Sequence, residues 1–215
     1  MDYKEYRGCR GLVVAKVTKD DAEGYTTENW VRLAGVQAIT HAKTEDSEKH
    51  FYDNIAAIIV DAVEGDEVSL TVSIPANKTR ALIEGNDYDE TLDAIIRTGA
   101  NKAYFALGYI GAKDDGTEDI NILYKGKFTG GNKVLNTKDD GTTTTNMEYT
   151  YTAVHTANKC YTKTEDGKQV KKNAMSFECP VSDKVTEAKV FGTFENDEST
   201  VAALTPDAII ELAKA

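Results

Sequence analysis

The sequence offers few side chains for metal or acid–base chemistry. Its three histidines are His41, His50 and His155. His41 and His50 lie nine residues apart in a segment that reads as a loop, and no His-Glu-x-x-His or comparable metal-binding spacing is present. Most aspartates and glutamates fall in turn-like stretches, where they hydrogen-bond the backbone and keep the surface soluble. We therefore expect no metal site and no general acid–base site.

The cysteines and glycines give no better starting point for catalysis. Cys9, Cys160 and Cys179 are an odd set without Cys-x-x-Cys spacing, which favours reduced, buried thiols over a disulfide framework or a zinc site. A cysteine nucleophile needs a lowered pKa beside a histidine, but on an extended strand His155 and Cys160 would point to opposite faces. No glycine pattern forms a phosphate-binding loop. We expect no cofactor and no enzymatic activity.

Alternating apolar residues predict a mainly β protein. Val68, Leu70 and Val72 alternate with hydroxyl residues, and Met147, Tyr149, Tyr151 and Ala153 alternate with Glu148, Thr150 and Thr152. Further strands are predicted at 11–17, 103–110, 120–128, 174–179 and 188–194, and we favour a strand over a helix for 55–63 because of its β-branched residues. Together these predict an antiparallel β-sandwich or barrel.

Turn and helix signals punctuate these strands. Hairpin turns are predicted at 114–116, 139–141 and 165–167, where an acidic residue precedes glycine. A short helix is predicted near 75–84, between a proline and Gly85, and a C-terminal helix near 206–214, capped by Thr205. Two long polar stretches, 40–54 and 130–146, are predicted to be functional loops.

Composition narrows the class of protein. The chain has 215 residues, 36 acidic against 25 basic, and a formal net charge of −11. That balance disfavours a protein that grips nucleic acid through phosphates, although acidity alone serves solubility equally well. The sequence contains no apolar run of about 18 residues, so no membrane-spanning helix is predicted. The start of the sequence lacks the pattern of a secretory signal, and we therefore expect assembly in the cytoplasm.

One block of the sequence resembles a known family. Tyr104-Phe105-Ala106-Leu107-Gly108-Tyr109, the turn at Asp115-Gly116, and Leu123-Tyr124-Lys125-Gly126-Lys127-Phe128 follow in an order that resembles the major tail protein family of long-tailed, non-contractile bacteriophages. Weaker pieces agree in order: Arg32-Leu33-Ala34-Gly35, Phe51-Tyr52-Asp53-Asn54, the helix before Gly85, and the strand from Tyr149 to Ala153. The resemblance covers about residues 8–157, and the chain from Asn158 onward has no counterpart.

The resemblance implies a structural virion protein. It would form hexameric rings that stack into the hollow tail tube, through which DNA passes without specific binding during genome ejection. Its partners would be its own copies, stacked through loops such as 40–54, and other tail proteins; its location would be the virion tail, assembled in the bacterial host cytoplasm. We expect residues 1–157 to form the tail-tube-like β domain, and residues 158–215 to add strands and a helix to the same domain.

Two alternatives remain at the sequence level. The chain would be a non-viral β-sandwich binding module if aromatic residues such as Trp30, Tyr104 and Tyr109 lined a shallow sugar site. It would be the tube protein of a phage-derived tailocin or injection device if rings form but DNA never passes. Rings or tubes favour the tail interpretations, whereas a monomer at high concentration favours the binding module.

Overall fold

The protein is built almost entirely of antiparallel strands. The computed structural model describes residues 3–52, 55–98, 102–133, 146–166 and 168–214, with the backbone alone for residues 44–64 and residue 165. In chain order the elements are β1 Tyr6–Asp21, β2 Gly24–Thr27, β3 Asn29–Arg32, β4 Val36–Tyr52, β5 Ile55–Val72, α1 Asn77–Glu84, β6 Asp87–Asp89, β7 Ala94–Ile96, β8 Phe105–Lys113, β9 Glu118–Gly130, β10 Met147–Ala153, β11 Tyr161–Glu165, β12 Lys168–Lys172, β13 Ser176–Pro180, α2 Glu187–Val190, β14 Phe194–Glu195, β15 Glu198–Ala202 and α3 Pro206–Lys214. The predicted mainly β class is confirmed.

One large sheet organises the chain. Its order is β14-β15-β3-β1-β8-β9-β10-β5-β4, with β2 added beside β1 and β13 beside β9. The sheet curls until β4 contacts β1, which gives it a barrel-like shape. The barrel strands bury an inner core that includes Leu12, Leu70, Phe105, Phe128 and Tyr151, and α1 adds Ile83 to it.

A second core covers the opposite face of β1, β8 and β9. Val13, Ile110 and Ile122 point away from the inner core on these strands. Residues from the last third of the chain pack over them, including Val190 and Phe191. Because β8 and the first half of β9 are buried on both faces, mostly apolar residues follow one another at 105–110 and 120–124, where a half-buried strand would alternate.

Both predicted helices are present. α1 begins at Asn77, two residues after the predicted start, because the Ala76 carbonyl accepts the first helical bond, from Arg80 N. It ends at Gly85, whose left-handed conformation (φ 71°) places its N–H near the Leu82 carbonyl. α3 begins at Pro206 as predicted, with the Thr205 carbonyl accepting the Ile209 N–H at 3.1 Å. Within the described residues, no helix is long and apolar enough to cross a membrane.

The predicted loop at 40–54 is wrong as far as residue 52. Residues 40–52 belong to β4, which pairs with β5 from Val36↔Val72 to Tyr52↔Ile55, and residues 53 and 54 lie outside the described residues. The stretch is polar because β4 is the last strand of the sheet, so it lacks the apolar alternation of a half-buried strand. The strand predicted at 55–63 is confirmed.

The strand predicted at 188–194 and the predicted turns have different outcomes. The strand predicted at 188–194 is wrong, because residues 187–190 form α2 and only Phe194 joins a strand there, β14. The Thr186 hydroxyl accepts the Lys189 N–H and caps this helix. The turns at 114–116 and at 166 connect strand pairs as predicted. The turn at 139–141 and most of the predicted loop at 130–146 lie outside the described residues.

Candidate functional site

The side chain of His41, on β4, lies within hydrogen-bond distance of two polar side chains. Its Nδ1 lies 2.9 Å from the Tyr109 hydroxyl, and its Nε2 lies 2.9 Å from Oδ2 of Asp66, which is 3% exposed. Burial, followed by the nearby carboxylates of Glu178 and Asp66, raises the pKa of Tyr109, so its hydroxyl stays protonated at neutral pH. This chain of hydrogen bonds ties β4, β5 and β8 together and satisfies a buried carboxylate.

A cavity of about 390 Å³ lies beside this chain, at one end of the barrel. Tyr6, Cys9 and Glu178 are among its lining residues. The Tyr6 hydroxyl lies 2.7 Å from Oε1 of Glu178, and this hydrogen bond is the largest cause of the raised pKa of Tyr6. Burial raises the pKa of the Cys9 thiol, which disfavours the thiolate that a nucleophile needs.

The other histidines and cysteines considered for catalysis lie in separate environments. His155 is exposed, whereas Cys160 is buried and lies 3.7 Å from the Thr156 hydroxyl. Burial raises the pKa of both Cys160 and Cys179. His50 lies on β4, where the structure gives its backbone alone. Across the described ranges, no three histidines, cysteines, aspartates or glutamates gather into a possible metal site.

The outer face of β10, β5 and β4 has an unusual composition. We call its positions the hydroxyl face. The strand register aligns them in three cross-strand rows: Glu148–Thr71–Ala38, Thr150–Ser69–Thr40 and Thr152–Glu67–Ala42. Residues at the alternate positions, such as Tyr149, Leu70 and Ile39, belong to the inner core or pack against it. The hydroxyl face therefore consists of hydroxyl groups, two methyl groups and two carboxylates.

The hydroxyl face carries negative charge and contains no lysine or arginine. Its two charged positions are Glu148 and Glu67, both exposed. The nearest cation along the rows is Lys127, opposite Thr152 on β9, and its ammonium lies 4.5 Å from the centre of the Tyr104 ring. A surface of small hydroxyl groups and carboxylates can contact a polyanion without holding it, because it has no positive charge to neutralise phosphates.

The hairpin of β4 and β5 extends beyond the rest of the sheet. β10 ends where Ala153 pairs with Asp66, and past this point β5 pairs with β4 alone among the described residues. We call residues 45–63 the arm. The register shifts between Thr44 and Glu45, opposite Gly65, and a Cβ at Gly65 would lie 2.5 Å from the Ala153 carbonyl oxygen. The arm therefore leaves the sheet at a bulge that requires glycine.

Each of the three aromatic residues proposed for a sugar site contacts a different part of the protein. Trp30 is fully buried and packs edge-on against Phe191 at 5.3 Å, so its ring has no face open to a ligand. Tyr109 is 7% exposed and bonded to His41. Tyr104, 40% exposed, lies under the ammonium groups of Lys125 and Lys127.

Sequence reasoning did not identify the hydroxyl face, although its signal was present. Four of the six polar positions that alternate with the core residues of β5 and β10 are serine or threonine, and the other two are glutamate. Their alignment into rows depends on the pairing of strands about 80 residues apart, which sequence alone does not give. Comparison with protein-family models and with curated proteins finds no match to this chain.

Proposed function

We propose that this chain is a structural protein of a phage tail tube, without enzymatic activity. Its copies would form hexameric rings, and stacked rings would enclose the channel through which the genome leaves the virion tail. Assembly would take place in the host cytoplasm together with other tail proteins. The observation that carries the proposal is the hydroxyl face, because it combines aligned rows of hydroxyl groups with the absence of lysine and arginine from its nine positions.

The physical demands on a DNA channel favour such a face as its lining. Duplex DNA carries one negative charge per roughly 1.7 Å, and each lysine or arginine that pairs with a phosphate adds salt-dependent affinity. A row of cations would therefore retain the genome. Glu67 and Glu148 repel phosphates instead, and the threonine and serine hydroxyls remain hydrated. The net charge of −11 acts in the same direction over a longer range.

The sheet also has the edges that ring formation requires. β4 ends the sheet on one side and β14 on the other, so each offers backbone groups that a neighbouring copy can pair with. A contact between two different edges is heterologous, and heterologous contacts close into rings or continue as filaments. The arm supplies a projecting element for contact between stacked rings, the role first expected of a loop at 40–54.

Electron microscopy of the concentrated protein tests the proposal. We expect rings of about six subunits or hollow filaments, with a solution mass by light scattering that is a multiple of 23.5 kDa. A protein that remains a uniform monomer at every concentration and salt condition contradicts the proposal. Rings without tubes would support the assembly of copies into rings. They would also indicate that the contact between stacked rings fails to form.

The cavity at the barrel end favours a second candidate, a small-molecule binding module. Its volume of about 390 Å³ falls within the range of ligand pockets, and its walls combine aromatic side chains with His41 and Glu178. This candidate predicts a monomer whose thermal stability rises with a ligand. The tailocin alternative shares the tube and differs only in carrying no DNA, so particle composition separates it from a phage.

A further inference from the structure

Two small hairpins stand apart from the main sheet and carry opposite charges. Among the strands that the structure describes, β6 and β7 pair only with each other, and both pack against α1. β11 and β12 likewise pair only with each other, and β11 contacts α3. We call residues 87–96 the acidic hairpin and residues 161–172 the basic hairpin. Each hairpin lies at the surface, so packing in the core does not account for its charged residues.

The acidic hairpin has four carboxylates and no cation: Asp87, Asp89, Glu90 and Asp93. Two of them hold the hairpin's own shape, because Asp89 accepts the Leu92 N–H at 2.9 Å and Asp93 accepts the Tyr88 hydroxyl at 2.8 Å. Asp87 and Glu90 form no ion pair with any described residue. The acidic hairpin is thus internally ordered and leaves two exposed carboxylates available.

Apolar side chains accompany these carboxylates. Leu92, at the tip, is 79% exposed, and Ile96 is 50% exposed. Asp87 pairs across the strands with Ile96, so a charged and an apolar side chain lie side by side on one face. The opposite face, with Tyr88 and Ile95, is half-buried. One face of the acidic hairpin therefore presents an apolar and a charged side chain together.

The basic hairpin has the complementary composition. Residues 161–172 contain four lysines against Glu165 and Asp166, a charge of +2 in a chain whose total is −11. Lys168 and Lys171 are exposed and form no ion pair with a described residue. Val170, 39% exposed, shares a face with Lys168. This face repeats the pairing of one charge and one apolar residue, with the sign reversed.

The basic hairpin is also held firmly. The Thr162 N–H and hydroxyl both donate to the Asp207 carboxylate, at 2.7 Å each. Asp207 lies in the first turn of α3, so these bonds fix the hairpin to the body of the protein. A surface ordered before binding loses less conformational entropy when it docks.

We infer that the acidic hairpin of one copy docks against the basic hairpin of the next. The contact brings Asp87 toward Lys168 and covers Ile96 with Val170, so it uses the one face of each hairpin on which a charge and an apolar residue lie together. Glu90, at the turn of the acidic hairpin, and Lys171, on the other face of β12, add opposite charges at the rim of the contact. It rests on the proposed function, since it names a contact through which copies assemble. The two surfaces differ, so the contact is heterologous and propagates from copy to copy as a ring or a stack requires.

Charge reversal tests this contact directly. One variant carries Asp87→Lys and Glu90→Lys, a second carries Lys168→Glu and Lys171→Glu, and a third combines all four. We expect each of the first two to raise the protein concentration needed for assembly by about tenfold or more, because like charges would meet. The combined variant restores opposite charges and should assemble within about threefold of the wild type.

A matched control reverses two exposed carboxylates elsewhere. Asp183→Lys with Glu5→Lys changes the net charge as the first variant does, and neither residue lies in a hairpin or in an edge strand of the sheet. Assembly is measured by light scattering and electron microscopy, and thermal unfolding verifies that each variant folds. The control should assemble like the wild type.

The outcomes separate the inference from the proposed function. If the wild type forms tubes while either two-residue variant assembles equally well, or the combined variant is no better than its parents, the hairpin contact is overturned and the tube stands. A wild type that never assembles overturns both. Loss of duplex DNA binding by the Lys168→Glu and Lys171→Glu variant, with assembly unchanged, assigns the basic hairpin to nucleic acid and overturns the contact.

Discussion

A single aspartate, Asp20, joins the end of β1 to the chain that follows β10. Its carboxylate accepts hydrogen bonds from the Ala157 and Asn158 N–H groups at 2.9 Å each, and from Lys125 Nζ at 2.6 Å. The Asp20 side chain is 5% exposed and that of Lys125 is 18% exposed. Replacing Asp20 by Asn should lower the free energy of unfolding by about 3 kcal/mol, because a largely buried ammonium loses its partner. Urea denaturation measures this change.

The same residue predicts a pH dependence. Burial, the largest single effect, raises the pKa of Asp20, but the combined hydrogen bonds from Ala157, Lys125 and Asn158 outweigh it and lower the pKa below 3.8. A carboxyl with a lowered folded-state pKa contributes stability above its unfolded pKa, and that stability is lost as the pH falls through the folded pKa. The wild type should therefore lose more stability below pH 3.8 than Asp20→Asn does. Equal slopes for the two proteins, or an effect as large in the exposed control Asp183→Asn, would contradict this assignment.

Glycine at position 126 is required by close packing. A Cβ there would lie 2.4 Å from Cζ of Tyr151 and 2.5 Å from the Thr152 carbonyl oxygen. Gly126→Ala should therefore destabilise the protein by about 2 kcal/mol or more, through displacement of a fully buried tyrosine. Gly24→Ala is the control, since nothing lies within 4 Å of its Cβ position. Similar melting temperatures for Gly126→Ala and Gly24→Ala would contradict this prediction. They would show that β9 and β10 move apart at little cost to accept the added methyl group.

Among the elements, strands of the sheet with one packed face were predictable, whereas residues 45–52 of β4 and the helix α2 were not. β10 alternates Met147, Tyr149 and Tyr151 with polar residues because its inner face is packed and its outer face is not. β4 has no such pattern along residues 45–52, because its far part pairs with β5 alone. The helix α2 had a local signal in Thr186 followed by Glu187, but the apolar residues at its C-terminal end, which belong to the second core, suggested a strand.

The arm gives a prediction at the scale of the element. Replacing residues 45–63 by an Asn-Gly turn should leave the monomer folded, since past the Ala153–Asp66 pair β5 pairs with β4 alone among the described residues. The shortened protein should keep its thermal stability within about 1 kcal/mol and fail to form tubes, because the element proposed for ring stacking is gone. Circular dichroism and electron microscopy measure the two effects separately. Tubes of normal length would remove the arm from the assembly.

At the scale of the whole molecule, the sequence predicts the β class but not the order of the sheet. β1 lies between β3 and β8, and β10 between β9 and β5, so the central neighbours come from distant parts of the chain. Local patterns identify which residues of a strand are buried, yet they do not say which strand lies beside it. The hydroxyl face depends on this non-local pairing, which is why the candidate site emerged only with the structure.

The hydroxyl face also provides the test of the channel. Ser69→Lys with Thr150→Lys places two cations in one row at exposed or half-exposed positions, where the fold should tolerate them. If the row lines the channel, tubes of this variant should retain short duplex DNA in a salt-dependent way, because lysine neutralises phosphates. Wild-type tubes and the control Ser69→Thr should release the same DNA. Retention is measured as fluorescent DNA that sediments with the tubes at low and high salt. A variant whose tubes release DNA as the wild type does would move the channel lining to another face of the sheet.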